Sequence, residues 1–326
     1  MKKYISLLVS ALMMFVCLTG CSGQNGSSEQ EQRKLRITTT IFPVYDWTVN
    51  ILGGHAEESE VTMLLNSGAD LHSYQPTADD IMKISTSDVF IYIGGESDEW
   101  VEDALSTAAN KNMIVLNLLD ILGDDAKEEE TVEGMQEEEH EDEHEDEAEY
   151  DEHIWLSLRN AEVLVNRISK VLQSADPENA FDYEKNTASY TAELKELDQN
   201  YKDAVYASNY DTLLFGDRFP FRYLTDDYGL SYYAAFAGCS AEAEASFETV
   251  VFLAKKTDEL KLHSIMTIEG TDHRIAETII RNTESKDQQI LVMDSMQSTT
   301  SKDVENGVSY LSIMNKNLEV LKEALE

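Results

Sequence analysis

The sequence predicts an α/β protein with two lobes, each built on a mainly parallel sheet flanked by helices, joined by one long rigid helix. Short apolar runs alternate with segments of helical spacing over residues 35–172, as in domains built on parallel strands. A stretch without glycine or proline follows over residues 178–206, and a second alternation covers residues 213–325. The chain has 326 residues and is 42% apolar, enough for about two domains with cores of their own.

The elements predicted in the first lobe are short. Apolar or β-rich segments that predict buried strands lie at residues 35–40, 61–65, 89–93 and 113–118. Helical spacing predicts helices at residues 44–52, 78–85, 99–109 and 161–172. We place this lobe at residues 35–176.

The long helix is predicted from one apolar stripe. Its members recur at spacings of seven, four, three and four residues: Tyr183, Tyr190, Leu194, Leu197 and Tyr201. A linker helix over residues 177–207 would span roughly 40 Å and could join two lobes rigidly.

The second lobe is placed at residues 208–326. Its predicted strands lie at residues 213–215, 264–268 and 289–293. Its predicted helices lie at residues 247–260, 274–282 and 308–325.

The first residues predict export and a lipid anchor. Lys2 and Lys3 precede an apolar run at residues 5–16, which is short for a membrane-spanning helix. Leu18-Thr19-Gly20-Cys21 resembles the lipobox of bacterial lipoproteins, so we predict a signal peptide at residues 1–21, lipidation of Cys21 and a flexible tether at residues 22–34. This predicts a position on the extracytoplasmic face of the cell membrane. The alternative is a secreted protein in which Cys21 is incidental.

Cysteine usage gives no internal disulfide in the mature chain. Cys17 lies inside the signal peptide and Cys21 at its cleavage site, which leaves Cys239 alone in the mature body of the chain. We expect Cys239 to be a small buried hydrophobic residue.

The chain is strongly acidic, and part of its negative charge is concentrated in one segment. The formal net charge of −38 argues against nucleic acid as a partner, because phosphate contacts need clustered lysine and arginine. Residues 124–152 hold 18 Asp and Glu against one Lys. Such a block repels itself and buries little apolar surface, so we expect a mobile, solvated loop. His140 and His144 in this loop could capture metal weakly or could simply be solvated.

Two histidines stand where metal ligands occur. His72 follows the strand predicted at residues 61–65, at the edge where ligand sites of parallel sheets gather, although a loop or capping role would also place it there. His153 stands between Asp151-Glu152 and the apolar Ile154-Trp155-Leu156. A neutral imidazole beside a packed wall and carboxylates suits zinc or another divalent transition metal. The alternative is a solvated histidine at the end of a loop.

Both histidines lie in motifs that resemble those of a known family. Gly68-Ala69-Asp70-Leu71-His72-Ser73-Tyr74-Gln75-Pro76 and Glu149-Tyr150-Asp151-Glu152-His153-Ile154-Trp155-Leu156-Ser157 are similar to the two ligand motifs of the zinc- and manganese-binding lipoproteins of ABC importers. In the zinc members an acidic, histidine-rich loop directly precedes the second motif. The resemblance covers residues 38–325. It implies two α/β lobes joined by one rigid helix, with the metal site in the cleft between the lobes.

The resemblance also implies a ligand set. His72 and His153 come from the first lobe, and Asp294 matches the carboxylate that follows the last strand of the second lobe. The family's third ligand, a His or in manganese members a Glu at the start of a helix, falls on Arg218, which cannot coordinate a cation. Asp217, one residue earlier, could replace it, or could cap the helix or pair with Arg218. Two carboxylates in the set would weaken the zinc assignment.

These features predict a lipid-anchored, monomeric receptor that binds Zn²⁺ and delivers it to an ABC permease, and that is not an enzyme. Mn²⁺ is the alternative cargo within the same family. A zinc hydrolase is the alternative from another class, since two His and a carboxylate with an open position can activate water. Against it, the sequence contains no H-E-x-x-H motif and no evident general base. A third alternative is an adhesin or structural lipoprotein with incidental metal.

Overall fold

The structure is a computed structural model that describes residues 33–136, 149–240 and 244–326. Leu35–Glu326 form one compact unit that contains two four-stranded sheets. The first sheet has the order β2-β1-β3-β4, and its strands are β1 (Arg36–Thr39), β2 (Glu60–Met63), β3 (Val89–Tyr92) and β4 (Ile114–Asn117). The second has the order β6-β5-β7-β8, and its strands are β5 (Thr212–Phe219), β6 (Ser231–Ala237), β7 (Ser264–Ile268) and β8 (Gln289–Met293).

All neighbouring strands in both sheets run parallel, so each sheet has one edge where all of its strands end. We call the parts built on the two sheets the first and the second lobe. The parallel α/β architecture predicted for both lobes is thereby confirmed. Such edges are where ligand sites of open α/β sheets form.

Helices flank both sheets. Around the first sheet they are α1 (Phe42–Leu52), α2 (Ala78–Thr86), α3 (Trp100–Ser106), α4 (Leu118–Leu122) and α5 (Leu158–Ala175). After the long helix α6 (Ala180–Ala207), they are α7 (Arg222–Tyr228), α8 (Phe247–Leu260), α9 (Arg274–Asn282), α10 (Ser301–Glu305) and α11 (Tyr310–Leu325). In the described part of the chain, no helix combines the length and the apolar character needed to cross a membrane.

The long helix α6 buries the stripe predicted for it. All five members are buried: Tyr183, Tyr190, Leu194, Leu197 and Tyr201. Near its start, Asn186 Nδ2 donates to Ile51 O of α1 at 3.0 Å. Near its end, Tyr201 Oη donates to Met314 O of α11 at 2.7 Å. The helix therefore packs on helices at both ends of the fold, as its predicted joining role requires.

The second sheet differs from the prediction at its edge. Strand β6 was not predicted, and β5 extends to Phe219 rather than ending near Phe215. Residues beyond Phe215 stay in the strand because β5 pairs in parallel with β6 up to Phe219 and Ala237, across a register shift. Asp217 and Arg218 therefore lie on a strand and not at the start of a helix.

The ends of the acidic segment are ordered. Glu129 N donates to Glu149 O at 2.7 Å, and Asp151 N donates to Lys127 O at 2.8 Å, so the two ends pair with each other. Gln136 N donates to Ala235 O of β6 at 3.0 Å. The segment expected to be a mobile loop over residues 124–152 therefore has backbone contacts where its two described ends meet.

Several sequence predictions fall outside the described residues. Residues 137–148, which include His140 and His144, are among them. So are the predicted signal peptide with Cys21 and nearly all of the predicted tether. The proposals below that use these residues rest on the sequence alone.

A buried carboxyl group in α1 makes stability depend on pH. Asp46 is 8% exposed, and its Oδ2 accepts hydrogen bonds from Tyr310 N and Tyr190 Oη, both at 3.3 Å. Burial raises the pKa of Asp46 to about 6, although both hydrogen bonds lower it. Because the folded-state pKa lies above the unfolded value of about 4, stability present at low pH is lost as the pH rises through the window from about 4 to about 6.

We predict that Asp46→Asn raises the free energy of unfolding of the metal-free protein by about 3 kcal/mol at pH 8, and by about half as much at pH 5. The amide keeps an acceptor oxygen for Tyr310 N and removes the buried charge. Urea unfolding at both pH values measures this gain. Asp120→Asn, at an exposed site, is the control and should change stability little at either pH. A gain that does not grow with pH would contradict the assigned titration.

Candidate metal centre

His72 is positioned by a short 3-10 turn, Leu71–Ser73, which follows β2. Asp70 caps this turn, because its Oδ1 accepts a hydrogen bond from His72 N at 3.0 Å. His72 Nδ1 lies 2.8 Å from Ser97 Oγ and 3.5 Å from Glu152 Oε2. Nδ1 is therefore held by residues that follow other strands, and Nε2 is left for a ligand.

His153 is fully buried at the end of the acidic segment. Its backbone N and its Nδ1 both contact Asp151 Oδ1, at 2.8 and 2.9 Å. A carboxylate can only accept hydrogen bonds, so Nδ1 donates to Asp151 and Nε2 faces His72. The ring of Trp155 lies beside the imidazole, with a centroid distance of 5.2 Å. Both the tautomer and the orientation of His153 are thereby set.

The two histidines meet through the nitrogens that a metal would use. His72 Nε2 and His153 Nε2 are 3.3 Å apart. Two nitrogens at about 2.0–2.1 Å from one tetrahedral zinc ion lie about 3.3–3.4 Å from each other. Burial, and then the charge of His153, lower the pKa of His72 to about 3, with Asp70 opposing and Arg218 adding to the effect. His72 is therefore neutral at physiological pH, the state in which imidazole binds a metal.

Cys239 lies beside the two histidines. Within the described residues, the ligand atoms of His72, His153 and Cys239 all lie within 4.8 Å of one another. Cys239 follows β6, and its backbone N donates to Glu129 Oε1 at 3.0 Å. The pKa of the Cys239 thiol is raised by burial and then by the charges of nearby carboxylates, above all that of Glu129.

Cys239 was expected to be a small buried hydrophobic residue, and this expectation is wrong. It is only partly buried, and its neighbours are imidazoles and carboxylates. The signal that could have found it is the apolar run of residues 231–237. That run predicts a strand whose end would bring Cys239 to the same edge as the other candidates.

Asp217 is held by its own lobe. Its Oδ1 accepts a hydrogen bond from Arg218 N at 2.9 Å. Its Oδ2 accepts from Ile268 N at 3.3 Å and from Thr271 Oγ1 at 2.9 Å, which joins β5 to the turn after β7. Asp217 caps none of the described helices. Its contact with Arg218 is to the backbone amide and not to the guanidinium, so the predicted pairing is present only with the main chain of that residue.

Arg218 bridges the two lobes beside His72. Its Nη2 lies 2.5 Å from Asp70 Oδ2 in the first lobe, and its Nη1 donates to Ser240 O in the second at 3.3 Å. Burial acts to raise the pKa of Asp70, but the hydrogen bond and the charge of Arg218 outweigh it and hold that pKa below its usual value. The guanidinium therefore holds the capping residue of the His72 turn.

Asp294 lies at the end of β8, as predicted, and its Oδ1 accepts from Met296 N at 2.8 Å. Glu269, at the end of β7, accepts from Ser295 N at 2.7 Å and from Ser295 Oγ at 2.8 Å. Burial raises the pKa of both carboxyl groups, and the charge of Asp294 raises that of Glu269 further. Both carboxylates thus organise the turn after β8. Neither joins the three-residue group among the described residues, and metal binding by Asp294 stays a prediction.

A cavity of about 450 Å³ borders this group. Both lobes contribute to its wall, which includes Asp70, His72, Asp217, Arg218, Ser240 and His273. A buried metal site needs an entry path, and the cavity supplies space next to His72 for an arriving ion.

The variant Asp217→Ala separates the metal-binding role from the structural role left open for this residue. From its hydrogen bonds, we predict that this change lowers the free energy of unfolding by about 2 kcal/mol, because the buried amide of Ile268 and the half-buried amide of Arg218 lose an acceptor. We expect metal affinity to stay within about threefold, which is under 1 kcal/mol. Urea unfolding and Zn²⁺ titration test both parts, and Asp217→Asn, which keeps an acceptor, should recover part of the stability. A loss of affinity of tenfold or more would establish Asp217 as a ligand.

The known proteins that this chain resembles belong to one family. The family model described as zinc-uptake complex component A, periplasmic (ZnuA), matches residues 37–324. The high-affinity zinc uptake system protein ZnuA of Bacillus subtilis is 30% identical over 331 residues, which cover 99% of this chain and 98% of that protein. The zinc-binding lipoprotein AdcA of Streptococcus pneumoniae strain R6 is 31% identical over 328 residues, or 100% of this chain and 62% of AdcA. The chain thus spans about three fifths of the AdcA relatives.

Solved structures agree with the sequence comparison. The Zn(II)-bound ZnuA-like domain of Streptococcus pneumoniae AdcA has a TM-score of 0.69 at 28% identity, with coverage of 90% of this chain and 99% of that domain. The metal-dependent lipoprotein YcdH of Bacillus subtilis has a TM-score of 0.71 at 26% identity, with coverage of 90% and 99%. Both similarities extend over the two lobes and the long helix.

Proposed function

The chain belongs to the family of periplasmic zinc-uptake complex components A (ZnuA), and on this premise we propose that it is the metal-binding receptor of an ABC importer. Its cargo is Zn²⁺, which it binds outside the cytoplasm and delivers to a membrane permease. It works by binding and release and has no catalytic role. The observation that carries the proposal is the pair His72 Nε2 and His153 Nε2, 3.3 Å apart at the meeting point of the lobes.

The residues behind the two imidazoles support a metal site. Ligating histidines usually hold their other ring nitrogen on a carboxylate, carbonyl or hydroxyl, which fixes the ring and raises its basicity. Asp151 does this for His153, at 2.9 Å. Ser97 Oγ, at 2.8 Å, and Glu152 Oε2, at 3.5 Å, stand at the same place behind His72. The pair is therefore oriented before the ion arrives.

Zinc fits this site better than manganese does. Imidazole ligands favour Zn²⁺, whereas carboxylate, carbonyl and water ligands suit Mn²⁺. The two residues brought together from the predicted set, His72 and His153, are both imidazoles. The AdcA relatives and the ZnuA of Bacillus subtilis carry names that refer to zinc.

The location and the partner follow from the sequence and the family. Leu18-Thr19-Gly20-Cys21 supports lipidation at Cys21 and an anchor on the extracytoplasmic face of the membrane. The relative in Streptococcus pneumoniae is named a lipoprotein. The partner is the membrane permease of a zinc importer, to which the anchored receptor stays close.

Metal analysis of protein purified without chelator, followed by titration with Zn²⁺ and Mn²⁺, tests the proposal. We expect one Zn²⁺ per chain and a raised melting temperature. Free Zn²⁺ at a hundred times its dissociation constant should stabilise the folded state by about 2.7 kcal/mol. A melting curve unchanged by excess Zn²⁺ would refute the receptor, tighter binding of Mn²⁺ would make manganese the cargo, and metal-dependent turnover would indicate a hydrolase.

A further inference from the structure

We propose that the thiolate of Cys239 is the ligand that the second lobe contributes to the zinc ion, together with His72 and His153 from the first lobe. This inference rests on the proposed function and names the atoms that perform it. On binding, the S–H bond of Cys239 is replaced by an S–Zn bond, and the proton leaves to solvent. No electron transfer is involved, because zinc has no redox chemistry.

The three ligand atoms lie close enough together to surround one ion. The two Nε2 atoms are already at the separation of a tetrahedral edge, at 3.3 Å. Cys239 Sγ lies within 4.8 Å of both. With Zn–S near 2.3 Å and Zn–N near 2.0–2.1 Å, a tetrahedral site needs about 3.6 Å between sulfur and nitrogen. Closing this gap requires Sγ to move by at most about 1.2 Å.

The chain is shaped to bring Cys239 against His153. Gly238 precedes it, and a Cβ at Gly238 would lie 3.1 Å from His153 Nδ1 and Cε1, and 2.9 Å from Phe219 O. A side chain at residue 238 would push the end of β6 away from the imidazole. The bond from Cys239 N to Glu129 Oε1 then fixes the next residue beside the ring.

An independent observation points to a cation at the same place. Glu152 is 2% exposed, and its Oε2 has no hydrogen-bond partner within the described ranges. This oxygen lies 3.5 Å from His72 Nδ1. When His72 Nε2 binds an ion, the ring proton must sit on Nδ1, where Glu152 Oε2 can accept it. A metal on Nε2 thus gives the buried oxygen a partner.

Cys239 also supplies the second-lobe ligand that Arg218 cannot provide. The resemblance places the third ligand of the second lobe on Arg218, which instead bridges Asp70 and Ser240 O. Ser240 directly follows Cys239, so the guanidinium holds the segment that carries the thiol. A thiolate is a softer donor than imidazole or carboxylate and favours Zn²⁺ strongly over Mn²⁺. The site therefore keeps its zinc preference without a third histidine.

Cobalt titration of the full chain, purified metal-free under reducing conditions, tests the proposal. Bound to a thiolate, Co²⁺ gives an intense ligand-to-metal charge-transfer band in the near ultraviolet, which imidazole and carboxylate ligands do not give. We expect this band to saturate at one equivalent and Zn²⁺ to abolish it by displacing Co²⁺. The band should be absent in Cys239→Ser and in Cys239→Ala, and Zn²⁺ affinity should fall more than tenfold while Mn²⁺ affinity changes less than threefold.

The double variant Cys17→Ser with Cys21→Ser is the matched control and should keep the band, since Cys17 lies in the predicted signal peptide and Cys21 at its cleavage site, both outside the metal centre. Stoichiometric Zn²⁺ binding without the band in the unaltered chain would overturn the role of Cys239 and leave the receptor function intact. A band that persists in both Cys239 variants would overturn it as well. Absence of any Zn²⁺ or Co²⁺ binding by the unaltered chain would overturn the proposed function together with this inference.

Discussion

His153→Ala is expected to lower the affinity for Zn²⁺ by more than about 100-fold, because loss of residues that only orient metal ligands already costs about 10–100-fold. His153 is fully buried, and its Nδ1 is held by Asp151, so its Nε2 has no role in the fold other than facing His72. Removing the ring leaves His72 without its nearest co-ligand. Competition titration with a chromophoric chelator measures the change.

Two controls show whether the loss is specific to the site. His55→Ala removes a histidine that also contacts two carboxylates, Glu58 at 3.1 Å and Asp182 at 3.0 Å, but lies elsewhere. Its Zn²⁺ affinity should stay unchanged. The double variant His140→Ala with His144→Ala should lose less affinity than His153→Ala alone, since these residues can only collect metal from the acidic segment. Equal losses would make the acidic segment the main site.

The fold could be predicted from sequence where one local pattern decides the structure. The strands Ser264–Ile268 and Gln289–Met293 and the helices Phe247–Leu260 and Arg274–Asn282 have the predicted bounds. Each is a continuous apolar run or an amphipathic repeat between polar or turn residues, so its own side chains select it. The same holds for the buried stripe of the long helix.

The end of β5 depends on tertiary pairing instead. Residues 216–219 carry glycine, two charged residues and phenylalanine, a pattern with no strand periodicity of its own. They stay extended because β6 pairs beside them up to Ala237. The position of Asp217, predicted as a ligand on a helix start, is therefore set by pairing with β6 and not by the pattern of residues 216–219.

The candidate site could be predicted only in its first-lobe half. His72 and His153 each lie in a motif whose neighbours are close in sequence: Asp70 caps one turn, and Asp151 holds the other ring. Cys239 has no such local company in sequence, because its neighbours Glu129 and His153 are brought to it by folding. Such a residue can be identified as a candidate ligand only when the positions of the strand ends in both sheets are known.

Trp155→Ala is expected to lower the free energy of unfolding by about 4 kcal/mol, the usual cost of emptying a fully buried tryptophan site. Trp155 is 1% exposed, and it ties the lobes together. Its Nε1 donates to Ser295 O after β8 at 2.9 Å, and its carbonyl accepts from Tyr310 Oη at 2.7 Å. Because its ring also lies beside His153, the Zn²⁺ affinity of the folded protein should fall too. Urea unfolding and Zn²⁺ titration measure the two effects.

A pair of phenylalanine variants separates the interlobe hydrogen bond from simple packing. Trp47 is also fully buried, but its Nε1 has no partner in the described part of the chain. Trp47→Phe removes ring volume and an N–H that bonds to nothing described, whereas Trp155→Phe removes similar volume and leaves Ser295 O without this donor. We expect Trp155→Phe to cost about 1–3 kcal/mol more than Trp47→Phe, the penalty of an unsatisfied buried group. Equal costs would mean that the bond to Ser295 contributes nothing measurable, and that packing alone joins the His153 turn to the second lobe.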